Sequence, residues 1–381
     1  MDLLAAPGVL LDFTIGTLVP FFFVLMLVVF VHELGHYLVG RWCGIHAVAF
    51  AVGFGPEVVG FTDRRGTRWK LCAIPLGGYV RYLGDLNVAS QPAGQEALAR
   101  MSPEQRRRSF PAAALWKRAL AVAAGPGFNF VFAILIFATV FVVYGRERID
   151  PIVTEVTAGS AADRAGFQTG DRLLFADATP IEAFSDLQRY VQPRSDRTIT
   201  FTIERGGVEQ EIVATPERIE REDQFGNRIA LGMLGIRVDR NEDTVVTERF
   251  GPIGALGLAV RETGFVIERT GGYIAQVITG RESADQIGGP IRVAQVSGQV
   301  ATLGIVALVN LAALLSISIG LINLLPIPIL DGGHLLFYAF EAVLGRPLSP
   351  ATQEISFKIG LFLILSLMVF ATWNDLSLLL G

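Results

Sequence analysis

Residues 28–40 read VVFVHELGHYLVG, and three side chains in that stretch can do chemistry. On a helix His32 and His36 lie one turn apart and about 40° apart around the axis, so both imidazoles reach one cation. Glu33, turned by about 100° from His32, can act on a water at that cation without being a ligand. The His-Glu-x-x-His spacing is therefore a zinc motif with a base built into it. Its setting sharpens the reading. The motif closes a hydrophobic run long enough to cross a bilayer, where an ionisable side chain costs roughly 2.5–3.5 kcal/mol on insertion scales and marks a functional site.

Two imidazoles leave a catalytic zinc site one protein ligand short of the usual three. Asp331, in NLLPIPILDGGHLLF, is the only acid between Asp285 and Glu341 and sits at the edge of another apolar run. His334 competes for the same role, and His46, just past the first run, is the weaker candidate. On spacing alone Asp331 also reads as a cap or turn former before Gly332 and Gly333. At this level the third ligand stays open.

These groups must be positioned by a membrane-embedded frame. The 381 residues are 51% hydrophobic and only 18% charged, with a mean hydropathy of +0.47, too apolar for an ordinary soluble enzyme. Four stretches are long and apolar enough for spanning helices: about 13–40, 115–144, 303–325 and 356–373. A net charge of −4 offers no basic stripe for nucleic acid, which excludes that class of partner. Residues 41–118 carry 12 Lys/Arg against 5 Asp/Glu, including Arg106, Arg107, Arg108, Lys117 and Arg118, whereas residues 145–292 carry 18 Arg and 24 Asp/Glu. The positive-inside rule puts the first block in the cytoplasm, and the acidic block and the N-terminus on the opposite side. The first span is expected to stay in the mature protein, because the apolar stretch ahead of Ala47-Val48-Ala49 is far longer than a signal-peptide core. Cys43 and Cys72 fall in the inner block outside any CxxC spacing and read as packing residues.

Between the spans the pattern changes. FAVGFGPEVVGFT and WKLCAIPLGGYVRYL suit strands and turns at a membrane surface, and residues 85–113, with Pro92, Pro103 and Pro111, read as a linker. Residues 145–218 read as a small α+β domain. Its order is strand, short helix, GD turn, strand, a helix at about 182–192, and a hairpin in which Ile199, Phe201 and Ile203 alternate with threonines before a Gly206-Gly207 turn. Residues 231–249 have room for the remnant of a second copy. Residues 250–285 keep Ile253, Val260, Ile267 and Ile274 seven apart, which predicts an amphipathic helix, or a pair broken near Gly271-Gly272. The expected parts are thus 1–144, 145–218, 219–300 and 301–381.

HELGH in the first span, GFGP and PLGGYV after it, AAGPGFNF in the second span, GGPI at 288–291 and NLLPIPILDGGH closing the third resemble, in order, the site-2 protease family of intramembrane zinc metalloproteases. The nearest likeness is to its bacterial regulator-of-sigma-E protease type with a PDZ insert. The resemblance implies a polytopic α-helical protein of the bacterial inner membrane with about four transmembrane helices. It also implies a cytoplasmic membrane-associated β-hairpin region and one periplasmic PDZ-like α+β domain. It implies one Zn2+ per chain held by His32, His36 and Asp331, with Glu33 as the catalytic base, and so decides the third ligand in favour of Asp331. It further implies that Asn323, eight residues earlier, holds the substrate backbone or the developing oxyanion. Where many members carry a second asparagine, this chain has Ser318. Asn129, in GPGFN, reads as a helix-to-helix contact.

The implied substrates are single-span membrane proteins, already cut on the periplasmic side, such as an anti-sigma factor or a signal-peptide remnant. A spanning helix has its amides paired, so it must unwind before it is cut. Residues 74–83, with Gly77, Gly78 and Tyr79, are the expected edge strand that receives it. The PDZ-like domain is expected either to bind a freed C-terminus or to act as a size filter. A different class, a membrane adaptor that binds partners without cutting, is disfavoured by the intact HExxH and LDG.

Overall fold

A computed structural model describes residues 14–85, 101–222, 228–239, 245–280, 284 and 288–380. Most of the linker expected at 85–113 lies outside them. The chain divides into two compact units, one of Met1–Thr139 with Gly254–Gly381 and the other of Val140–Ile253.

The first unit opens with a turn of π-helix at Thr14–Leu18 that runs into α1, Val19–Trp42. The two run on as one apolar helix, with Pro20 close to their junction. Past Gly44 the chain enters β1, Ala47–Thr62, and β2, Arg68–Tyr82. These two antiparallel strands do not make a plain hairpin. Residues 49–52 of β1 pair with 78–81 of β2 on one side and with 68–71 on the other, while 69–71 also pair with 59–61. β2 therefore bends around β1, and its last residues form an outer edge of the small sheet. The end near α1 packs Phe50, Tyr37, Val80, Tyr82 and Phe110 into one core. The far end exposes Phe54, Val58, Val59, Phe61, Ile74 and Leu76.

A one-turn helix α2, Pro103–Arg107, starts with a reciprocal capping box between Ser102 and Gln105. It is followed by α3, Leu115–Val143, which carries Pro126 in its interior.

The second unit contains β3 (Arg146–Ile149), β4 (Glu155–Val156), α4 (Ala161–Ala165), β5 (Arg172–Ala176), β6 (Thr179–Pro180) and α5 (Phe184–Val191). It continues with β7 (Ile199–Arg205), β8 (Val208–Ala214), β9 (Glu217–Glu222), β10 (Arg228–Met233), β11 (Ile236–Arg237) and β12 (Val245–Glu248). Its main sheet has the order β6-β5-β7-β8, all antiparallel. The alternation in β7 buries Ile199, Phe201 and Ile203 against Phe167, Leu173 and Leu187. Asp171, fully buried, is held by Arg205 through Nε at 2.6 Å and Nη2 at 2.7 Å.

Beyond the domain expected at 145–218, β11 pairs with β4 and β12 with β3, so both strands fall in the same compact unit, Val140–Ile253. Those strands are two and four residues long, too short to leave a clear period-two pattern.

The first unit resumes with α6, Pro252–Ile278, continuous through Gly271 and Gly272. A glycine in a helix interior costs only about 1 kcal/mol relative to alanine, so it weakens a helix without ending it. The buried side of α6 is Ala255, Leu258, Ala259 and Thr263, whereas Ile253 and Val260 are exposed. The heptad of large residues therefore does not mark the packed face. Next come α7 (Pro290–Thr302), α8 (Ile305–Asn323), α9 (Asp331–Leu344) and α10 (Pro350–Leu380). Asp375 of α10 caps α7 by accepting the Gly289 and Arg292 N–H groups at 2.9 and 3.0 Å. Val24 and Val28 of α1 pack on Leu308 and Ala312 of α8.

Among the described residues, four helices are long and apolar enough to cross a membrane: Thr14–Trp42, Leu115–Val143, Ile305–Asn323 and Pro350–Ser377. The chain is built as a membrane protein.

Candidate metal centre

The site begins with the regularity of α1, which puts His32 and His36 on one buried face. Their Nε2 atoms lie 3.1 Å apart and the ring planes stand at 82°. The far side of each ring meets α3. His36 Nδ1 is 2.9 Å from the Ala121 carbonyl, an acceptor that fixes the proton on Nδ1 and leaves Nε2 as a lone-pair donor. Pro126 has no N–H to offer the Val122 carbonyl, four residues back in α3. Gly125 faces both rings: a Cβ there would collide with the His36 imidazole and stand 2.9 Å from His32 Cε1.

The third group arrives by a different route. Pro326 and Pro328 stop the helical ladder after α8, and the chain turns back through Ile329, whose φ of +102° is strained for a β-branched side chain. Three glycines let that irregular segment nest. Gly332 lies against the Leu324 and Leu325 carbonyls, Gly333 against Ile327, and Gly360 of α10 against the Pro328 carbonyl. The segment delivers Asp331 as the first residue of α9. Its Oδ2 is 3.1 Å from His32 Nε2 and 3.5 Å from His36 Nε2.

Among the described residues, His32, His36 and Asp331 are the group able to hold a metal ion, with one donor atom from each and all three within 4.8 Å of one another. Asp331 Oδ2 is buried and, apart from its approach to the two imidazoles, has no hydrogen-bond partner among the described residues. A buried carboxylate oxygen aimed at two imidazole nitrogens is a donor set that fits zinc, with a fourth position left over.

His334 lies apart, its ring 5.5 Å from Phe357 and 6.4 Å from Phe337. His46, ahead of β1, is outside the group; burial and the nearby Arg108 hold its imidazole below the ordinary histidine range. Glu33 is buried beside β2. At Gly78 a Cβ would stand 3.0 Å from Glu33 Cγ and 2.8 Å from Val29 Cγ1, so the glycine is what lets β2 lie this close to α1. Gly77 has φ +105° and is covered by Phe54, whose ring also stacks on Tyr79 with centroids 6.3 Å apart. The structure does not bring Gly77, Gly78 or Tyr79 into the group of three donors.

Asn323 ends α8, half-buried, with no side-chain hydrogen bond among the described residues. Ser318 donates back to the Leu314 carbonyl in its own helix at 3.1 Å. Cys43 and Cys72 are buried and unbridged. One functional neighbour was missed by the sequence reading. Asn129 is fully buried and its amide reaches His32 Nδ1 at 3.3 Å, so it is more than a helix contact. The available signal was its place one turn after Gly125, in an apolar span with few other polar groups.

Comparison with known proteins agrees with this geometry. The pattern of peptidase family M50 matches residues 20–367. A protein of Agrobacterium fabrum named "putative zinc metalloprotease" is 54% identical over 379 residues, covering 100% of this chain and 99% of the relative. One of the same designation from Rhizobium meliloti is 51% identical, covering 98% and 100%. Metalloprotease MmpA of Caulobacter vibrioides is 41% identical, covering 94% and 95%. With its apolar helices, its convergent donors and near full-length identity to these relatives, the chain belongs to peptidase family M50, the site-2 proteases, and is a membrane zinc metalloprotease.

Proposed function

We propose that this protein is an intramembrane endopeptidase that cuts single-span membrane proteins in or near their transmembrane segment, with zinc held by His32, His36 and Asp331. The observation that carries the reading is the convergence of those three donors beside Glu33, on helices fit to span a bilayer. Zinc supplies Lewis-acid polarisation of a carbonyl and the acidification of water. Glu33, one residue from a ligand and shielded between α1 and β2, takes the proton of the attacking water and returns it to the leaving amine. Asn323, whose amide is uncommitted, donates to the carbonyl oxygen as it gains charge.

The substrate must be unwound, and its freed amides need partners. Residues 78–81 of β2 pair with β1 on one side and with no second strand among the described residues, so an extended substrate adds there as a further strand beside Glu33. The apolar far end of the same sheet suits a segment dipping into the bilayer from the cytoplasmic face. The unit Val140–Ile253 is read as the PDZ-like domain, on the periplasmic side, where it selects substrates already shortened by an earlier cut.

The test is Glu33→Gln in the full chain reconstituted with a tagged single-span substrate. Zinc content is expected to stay at the parent level while cleavage falls by about 10²–10⁴-fold, the usual contribution of a general base. Undiminished cleavage would overturn the assignment.

A further inference from the structure

We propose that Asn129 is the positioning residue of His32: its side-chain carbonyl accepts the His32 Nδ1–H and so turns the Nε2 lone pair towards the metal. This rests on the reading of His32 as a zinc ligand. An imidazole that ligates through Nε2 carries its proton on Nδ1, and that proton, in a buried site, needs an acceptor. His36 has one in the Ala121 carbonyl. For His32 the side chain in the matching place is Asn129, 3.3 Å away.

The two ends of that amide are not equivalent. Nδ2 faces the ring, and it can only donate; Oδ1 is buried with no hydrogen-bond partner among the described residues. Half a turn about the last side-chain torsion exchanges them, placing the acceptor against Nδ1–H and relieving the orphaned oxygen. The rest of the residue is clamped. Its main-chain carbonyl accepts the Ser316 hydroxyl at 3.0 Å, and its Cβ is 3.2 Å from where a Cβ on Gly320 would stand, so α8 holds Asn129 from behind. The Ser316 bond goes to the backbone and survives substitution of the side chain. Helix packing and ring orientation are therefore separable.

The experiment is a chelator competition on the purified full chain, with the melting temperature of each variant measured alongside. Asn129→Leu keeps the volume and removes the acceptor; Asn129→Asp keeps the acceptor. The leucine variant is expected to bind zinc about 10–100-fold more weakly, the usual cost of losing the outer partner of a ligating histidine, and the aspartate variant to stay close to the parent. Parent affinity in Asn129→Leu, or equal weakening in both variants, would overturn the proposal. Should leucine lower the melting temperature, Asn129→Ala carries the same comparison with aspartate. His32→Ala serves as the control for the underlying reading. If it binds zinc as the parent does, the ligand assignment itself fails, whereas loss there with parent affinity in Asn129→Leu removes only the positioning role.

Discussion

The two halves of the metal group are made in opposite ways. In α1 the ligands are four residues apart on a regular helix, and α1 would present them together whatever packs against it. Asp331 instead follows two prolines and a strained Ile329, and it reaches the group only because Gly332, Gly333 and Gly360 admit backbone where any side chain would stand. One half is encoded by spacing, the other by tertiary contacts. Each half should accordingly fail in its own way.

The largest effect is expected at the tertiary ligand itself. Asp331→Ala should weaken zinc binding by more than the roughly 10–100-fold typical of outer partners, while His334→Ala should leave metal content unchanged. Metal analysis of both purified variants checks this, and the reverse outcome would return the ligand role to His334. Next is the seat of the loop. Gly360→Leu, far from Asp331 in sequence, should displace the Pro328 carbonyl, cost about 1–3 kcal/mol as overpacking does, and lower zinc occupancy in step. A thermal melt with parallel zinc assay reads it, and full occupancy in that variant would show the loop to be less dependent on α10 than its geometry suggests. The smallest effect is expected on the helical side. Ser318→Ala removes a hydroxyl bonded only within its own helix, so its stability should stay within about 0.5 kcal/mol and its cleavage rate near the parent.

The same contrast explains what could be read from the sequence. HELGH pointed to two neighbouring metal donors because a helix converts a four-residue spacing into proximity, and the structure brings His32 and His36 together as that spacing predicts. The four spans were legible because length and apolarity are local quantities, with α10 merely starting at Pro350 instead of 356. Spacing could not choose between Asp331 and His334, three residues apart on the same helix. The family resemblance decided for Asp331, and in the structure the fold of residues 324–330 turns Asp331 towards His32 while His334 faces Phe357. The strands that follow residue 218 were hidden for a like reason. β11 and β12 are defined by their partners β4 and β3, some 80 to 100 residues earlier, and carry little pattern of their own. In α6 the seven-residue repeat announced a helix, but it did not show that the buried contacts would be made by Ala255 and Ala259, whose small size allows approach.

The double pairing of β1 has a mechanical side. Residues 49–52 are gripped from both flanks, so sliding the outer strand by one residue would mean breaking a ladder while the opposite ladder still holds the centre in place. The free edge at 78–81 is thereby a ruler with a fixed origin. Under the proposed strand addition, a peptide laid along it would inherit that origin, and the bond brought beside Glu33 would be set by counting residues along the edge.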